Sequence, residues 1–164
     1  MSATSSSARW VYSIGFSTVF LDQFTKYAAE HFLSDGSVVN VMGDLLRFRL
    51  AYNEAAAFSL GFGATWILAL ISSVAVLLLL WYGPKAKTTI WAVIAGLVLG
   101  GAAGNWVDRV FKEPAFFSGH VVDFIQIPFN FPIFNLADSF LVIGITLAML
   151  RTLRGDEIGG GRGE

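Results

Sequence analysis

Apolar residues in this chain fall in blocks of membrane length, separated by shorter polar stretches, and the blocks predict four transmembrane helices. Trp10–Leu21 is apolar, and a helical pattern continues through Asp22 to Ala29. Twenty such residues at helical rise span about 30 Å, the thickness of a bilayer core. A cleaved signal peptide is the rival reading, given the small pair Ala28-Ala29. One arginine precedes the run, however, and Asp22 and Lys26 interrupt the path to a cleavage site, so a retained helix is expected. Ala64–Tyr82 has no charged residue and stops at Gly83-Pro84-Lys85-Ala86-Lys87. Thr88–Trp106 carries Gly96, Gly100 and Gly104, overlapping small-residue spacings that let helices approach closely. The last run, about Ile133 to Leu150, ends at Arg151 and Arg154. Asp138 falls about two turns into it, where an unpaired carboxylate costs about 2.5–3.5 kcal/mol.

The intervening residues read differently. Val38–Val41 and Leu46–Tyr52 flank Met42-Gly43-Asp44, and the second run alternates Leu46, Phe48, Leu50 and Tyr52 with Arg47, Arg49 and Ala51. Alternation of period two predicts strands. A small antiparallel sheet at about residues 36–62, lying on the membrane surface, is therefore expected. Asp123 sits in a short apolar run that reads as a strand or a re-entrant segment. Residues 1–9 are polar and 151–164 Gly-rich; both are expected to be disordered, leaving one membrane domain over 10–150.

Composition narrows the function classes. The 164 residues are 55% hydrophobic and 14% charged, with a mean hydropathy of +0.63, too apolar for a soluble domain. A net charge of -1 offers no basic stripe for nucleic acid. With no cysteine and two histidines there is no basis for a disulfide, a thiolate nucleophile or a Cys- or His-rich metal site, and no cofactor is expected. With four spans, both termini share a side, but cations divide six against five between the two sides. The positive-inside rule barely orients the chain.

Polar residues nevertheless gather at the end away from the termini. Asp22 and Lys26 are four apart on one helix face; Asn105, Asp108 and Arg109 stand at the same end of the third run, and Asn135 and Asp138 at that end of the fourth. Asn53 and Asp123 come from connecting segments on this side. Asp22–Lys26 reads as a structural pair, Asp108–Arg109 as a cap, the asparagines as network donors and His120 as a local hydrogen-bonding residue. Asp123 and Asp138 have no private cation nearby in sequence. Two close carboxylates tend to share one proton, so one can activate water while the other polarises a scissile carbonyl. A proton-coupled transporter using Asp22, Asp123 and Asp138 as a relay needs the same residue types. Two further readings are a Ser/Lys peptidase built on Lys26 with Ser59 or Ser139, and a non-enzymatic subunit packed through Gly96–Gly104.

Five blocks separate these readings. Asp22-Gln-Phe-Thr-Lys26, Asn53-Glu-Ala-Ala-Ala-Phe58, Gly104-Asn-Trp-Val-Asp-Arg109, Val121-Val-Asp-Phe124 and Phe134-Asn-Leu-Ala-Asp138 resemble, in order and spacing, the conserved blocks of the lipoprotein signal peptidase (signal peptidase II) family. The resemblance covers roughly residues 10–150, with one departure: Ala55 stands where the family usually has glycine. It implies an intramembrane aspartyl endopeptidase of the bacterial inner membrane, with four transmembrane helices, a small extracytoplasmic β-cradle and both termini cytoplasmic. The implied substrate is a prolipoprotein carrying a diacylglyceryl group on its lipobox cysteine, cut just before that cysteine by a monomeric enzyme among membrane lipids. Asp123 and Asp138 match the catalytic dyad. Asp22, Lys26, Asn53, Asn105, Asp108, Arg109 and Asn135 match the supporting polar residues. Phe124–Phe134 with Phe48, Leu50 and Phe58 would clamp the extended signal peptide.

Overall fold

A computed structural model describes residues 3–54 and 65–160. Its elements in chain order are α1 (Ala3–Phe32), β1 (Val38–Asn40), β2 (Arg47–Asn53), α2 (Thr65–Tyr82), a 3₁₀ turn (Gly83–Lys85), α3 (Thr89–Phe111), β3 (Val121–Gln126) and α4 (Leu136–Leu153). The protein is mainly helical with one small antiparallel sheet. Among the described residues, three helices are long and apolar enough to cross a membrane: Thr65–Lys85, Thr89–Phe111 and Leu136–Leu153. The fourth long helix, α1, does not meet that measure on composition, because acids and a lysine interrupt it.

α3 is the centre of the bundle, and its glycines are the reason. A Cβ at Gly96 would lie 2.8 Å from Ile14 Cβ, and one at Gly100 would run into Thr18 and sit 2.9 Å from the Gly15 carbonyl oxygen of α1. On the next face a Cβ at Gly101 would sit 2.6 Å from the Ala137 carbonyl oxygen of α4. α2 packs on a third side, where Trp106 Nε1 donates to Ser73 Oγ at 2.8 Å. Gly96 and Gly100 of the spacing read from sequence thus serve α1, and Gly101, outside that spacing, serves α4. Gly100→Val is expected to lower stability by about 1–3 kcal/mol through overpacking against α1, read as an earlier thermal unfolding midpoint in detergent. An unchanged midpoint would refute this close approach.

α1 is apolar on the outside and polar on the inside. Its buried positions are Ser7, Val11, Gly15, Thr18, Asp22, Lys26 and Ala29, a run of three- and four-residue steps along one face. Phe16, 74% exposed, and Phe20, Phe24 and Tyr27 line the opposite face. The helix begins at Ala3, inside the stretch expected to be disordered, since a serine-rich turn can prolong an established helix at small cost. The tail also differs from expectation. Arg151 pairs with Asp156, Lys87 N donates to the Gly159 carbonyl at 2.7 Å, and Gly160 lies against Thr88 and Trp91. Residues up to 160 therefore strap back across the start of α3.

The sheet has the order β1-β2-β3, so the expected hairpin gains a third strand from the Asp123 segment, which is a strand. β2 pairs with β3 through Phe48↔Ile125 and then Ala51↔Asp123, an extra residue on β2. This bulge reverses which side chains of β2 face Asp123. Without it Leu50 and Tyr52 would share the Asp123 face; with it Ala51 and Asn53 do. The strict alternation read over 46–52 therefore breaks in mid-strand, and Tyr52 is exposed. Leu46 and Phe48 ahead of the bulge, and Leu50 within it, pack with Phe124, Ile125, Ala29 and Leu33 in a small apolar cluster. After β3 the chain turns through Phe129 and Asn130, both at positive φ, and Phe134 returns to pair with Ile125. Residues 55–62 of the expected cradle, including Ala55, Phe58 and Ser59, lie outside the described residues.

Candidate active site

The site is assembled at one end of the bundle from α1, β2, α3, β3 and the start of α4. Its foundation is a charged cluster with no water access: Asp22, Lys26 and Asp108 are each 0% exposed. Lys26 Nζ lies 2.8 Å from Asp22 Oδ2 and 2.8 Å from Asp108 Oδ2, and donates to Asn105 Oδ1 at 3.0 Å. Its three protons match three acceptors. Asp22 Oδ1 also accepts from the Ala137 backbone at 2.9 Å, and Asp108 Oδ2 from the Val122 backbone at 3.1 Å. One ammonium thus ties α1 to α3, while its two carboxylates hold the start of α4 and β3. Asp108 does more than the cap that sequence suggested; it is the buried anchor of β3. Burial of these charges is tolerable only because each is paired and further hydrogen-bonded.

Sequence reading missed Gln23. Its Nε2 donates to Asp108 Oδ1 at 3.0 Å and to the Gly104 carbonyl at 3.0 Å, with Asp22 Oδ2 at 3.3 Å. An amide inside an apolar run, beside an acid, was the available signal. At the outer rim Lys112 Nζ bonds Glu30 Oε2 at 2.8 Å and lies 3.7 Å from Asp108 Oδ1. His120 lines a rim cavity there with Glu30, Tyr52, Phe111, Lys112 and Glu113.

The two remaining carboxylates meet around Asn135. Asn135 Nδ2 donates to Asp123 Oδ1 at 2.6 Å, its backbone N donates to Asp138 Oδ2 at 3.2 Å, and its Oδ1 accepts from the Asp138 backbone N at 3.0 Å. The last two bonds form a capping box, with Asn135 the N-cap of α4 and Asp138 its N3 residue. Asp138 is therefore in the first turn of the helix, not two turns inside it, because α4 starts at Leu136 rather than near Ile133. The helix end supplies partial positive charge beside this carboxylate. Asn105 Nδ2 donates to Asp138 Oδ1 at 2.8 Å, which connects the dyad to Lys26 through a single side chain. Asn53 Nδ2 donates to Asp123 Oδ2 at 3.1 Å, placed there by the bulge.

All nine residues singled out from sequence thus lie at this end, eight of them joined in one hydrogen-bonded network. Arg109 is the ninth: its Nη1 is buried with no hydrogen-bond partner among the described residues, and Asp108, Asp123 and Asp138 are the carboxylates that act on it. Among the described residues no cluster of acids or histidines has the arrangement of a metal site.

Asp123 is 3% exposed. Burial, reinforced by the negative charge of Asp138 and opposed by the bonds from Asn53 and Asn135, pushes its carboxyl up to about 6. The folded protein therefore holds this proton more tightly than the unfolded chain, and the contribution to stability is lost as pH rises from about 4 through about 6. Asp123→Asn removes that dependence. The mutant-minus-wild-type difference in unfolding midpoint is expected to become more positive across this window, by up to about 3 kcal/mol of equivalent stability. A difference that stays flat with pH would contradict the raised carboxyl.

A membrane-embedded helical protein with two carboxylates at the mouth of its bundle is the class this geometry defines. Residues 14–154 match the family model described as signal peptidase (SPase) II, and the chain belongs to that family. A lipoprotein signal peptidase of Leifsonia xyli subsp. xyli is 46% identical over 142 residues, covering 87% of this chain and 66% of the relative. That of Mycobacterium leprae is 41% identical over 147 residues, covering 90% and 73%. The chain thus spans about two thirds to three quarters of the length of these two relatives. Two solved bacterial membrane enzymes, determined by the in meso method, superpose with TM-scores of 0.77 and 0.76 at 30% identity. They cover 88% of this chain, which in turn covers 92% and 87% of theirs.

Proposed function

We propose that the protein is an aspartyl endopeptidase that removes the signal peptide from diacylglyceryl-modified prolipoproteins, cutting before the lipidated cysteine. The observation that carries this reading is the placement of Asp123 and Asp138 on either side of Asn135, with an Arg109 N–H that has no partner among the described residues and is attracted by both carboxylates. Asp138, on the helix N-terminal turn, takes a proton from water, and the resulting hydroxide attacks the scissile carbonyl carbon. Asp123, holding the shared proton, hydrogen-bonds the carbonyl oxygen as it gains charge, and Arg109 offers a second donor there. Transfer of a proton to the amide nitrogen breaks the C–N bond, giving a carboxylic acid on the signal peptide and a free amine on the cysteine. Phe48, Leu50 and the segment 124–134 form the apolar wall against which the signal peptide extends.

The same reading makes α1 a fourth span. Asp22 and Lys26 point into the bundle, so the face left for lipid is the aromatic ridge Phe16, Phe20, Phe24 and Tyr27, and mean composition is blind to that division. The start of α1 and the end of α2 share one end of the bundle, with Val11 against Gly83. Opposite lie the dyad and the sheet; with the orientation that the family resemblance implies, both termini are cytoplasmic, the dyad faces the outer surface of the inner membrane, and the lipidated substrate reaches a single protomer laterally. Mass spectrometry of a lipobox peptide incubated with the purified protein tests the reading. A diacylglyceryl-dependent cut before cysteine is expected. No cut, together with proton-driven flux in liposomes, would assign the acids to transport instead.

A further inference from the structure

At the opposite end of the bundle, a cavity of about 410 Å³ opens between the start of α1 and the end of α2, lined by Tyr12, Leu80, Trp81, Pro84 and Lys85. Its floor is fixed: Tyr12 Oη donates to the Leu80 carbonyl at 3.3 Å, tying the two helices together. Its rim is cationic. Lys85, an exposed residue, has its Nζ 5.0 Å from the Trp81 ring centre and 4.5 Å from that of Tyr82, so its ammonium lies over two rings at the surface. A lysine in that position keeps N–H donors for an anion. None of the lining residues is acidic, and Lys87 adds a second cation two residues on.

The depth of the cavity decides its ligand. The candidate span Thr65–Lys85 ends here, at the level where tryptophan and tyrosine rings mark the interface between hydrocarbon and headgroups. Trp81 and Tyr12 expose their rings beside the cavity, an apolar wall below a fixed positive charge. Acyl chain against ring and leucine, phosphate against ammonium, is the pairing that this order of groups fits.

We infer that the Tyr12–Lys85 cavity binds one anionic phospholipid, with its phosphate on Lys85 and an acyl chain along Tyr12, Leu80 and Trp81. The site stands at the far end from the dyad and depends only on α2 being a span, so its test is independent of the peptidase reading. Native mass spectrometry of the full chain, released from micelles doped with equal phosphatidylglycerol and phosphatidylcholine, is the measurement. The wild type is expected to retain one phosphatidylglycerol at least fivefold more often than phosphatidylcholine. Lys85→Gln is expected to abolish that preference, while Lys87→Gln, which removes equal charge outside the cavity, preserves it. Added inorganic phosphate should not displace the lipid. Equal retention of the two lipids by the wild type, or equal loss in the Lys85 and Lys87 variants, would overturn the site, as would displacement by free phosphate. The thermal unfolding midpoint of the same Lys85→Gln sample is expected to match the wild type, which shows that the variant is folded.

Discussion

Asp138→Asn is expected to leave a folded protein that has lost cleavage of a diacylglyceryl-modified substrate by roughly 10³-fold or more. The amide keeps the size of the side chain and an oxygen for Asn105 Nδ2, which lies 2.8 Å from it in the wild type. It cannot take a proton from water. The second carboxylate oxygen, which accepts from the Asn135 backbone, is replaced by a donor, so half of the capping box is lost. That change and the lost charge at the helix start should cost about 1 kcal/mol, small enough for the fold to survive. Asp123→Asn should abolish cleavage equally, because each carboxylate performs a step that the other cannot perform alone. The two readouts are product formation by mass spectrometry and the thermal unfolding midpoint in detergent. Substantial cleavage by either folded variant would remove the dyad from the mechanism.

Lys26→Met should have the largest effect on stability, about 3–5 kcal/mol. The substitution leaves Asp22 and Asp108, both fully buried, facing each other without the ammonium that lies 2.8 Å from each. Two uncompensated carboxylates in an apolar bundle repel one another and lack water to screen them. Each also anchors another element, Asp22 the first turn of α4 and Asp108 the backbone of β3, so the damage reaches both acids of the dyad. Asp22→Asn combined with Lys26→Met removes one of the stranded charges, and Asp108 keeps its bonds from Gln23 and Val122. The double variant is expected to unfold above the Lys26→Met single variant. If both match the wild type, the cluster does not hold the bundle together.

The dyad was legible because carboxylates are rare in apolar sequence and each must be used or paired. Asp22 and Lys26 could likewise be recognised as a pair from their four-residue spacing. What they pair with could not: Asp108 arrives from α3, and no local pattern links it to Lys26 or to the Val122 amide. A last helix beginning near Ile133 places Asn135 and Asp138 inside it, three residues apart, yet the same spacing describes a capping box. Only the start of α4 distinguishes the two, and a gradual onset of hydrophobicity after Pro132 does not mark it. Asn53 faces Asp123 through a bulge, whose single extra residue has no signature in the alternation of β2. The extension of α1 back to Ala3 and the strapped tail escaped because low hydrophobicity says nothing about a neighbouring helix that can receive them.

By itself the sequence determined the apolar helices, the sheet-forming runs, the glycine face of α3 and the roster of polar residues that had to be satisfied, because periodicity and burial cost are properties of single segments. The tertiary structure decided which acid meets which amide, where Asp138 stands on its helix and which face of β2 meets Asp123. Those depend on hydrogen-bond directions between segments far apart in the chain, and on register shifts of one residue, which no segment carries alone.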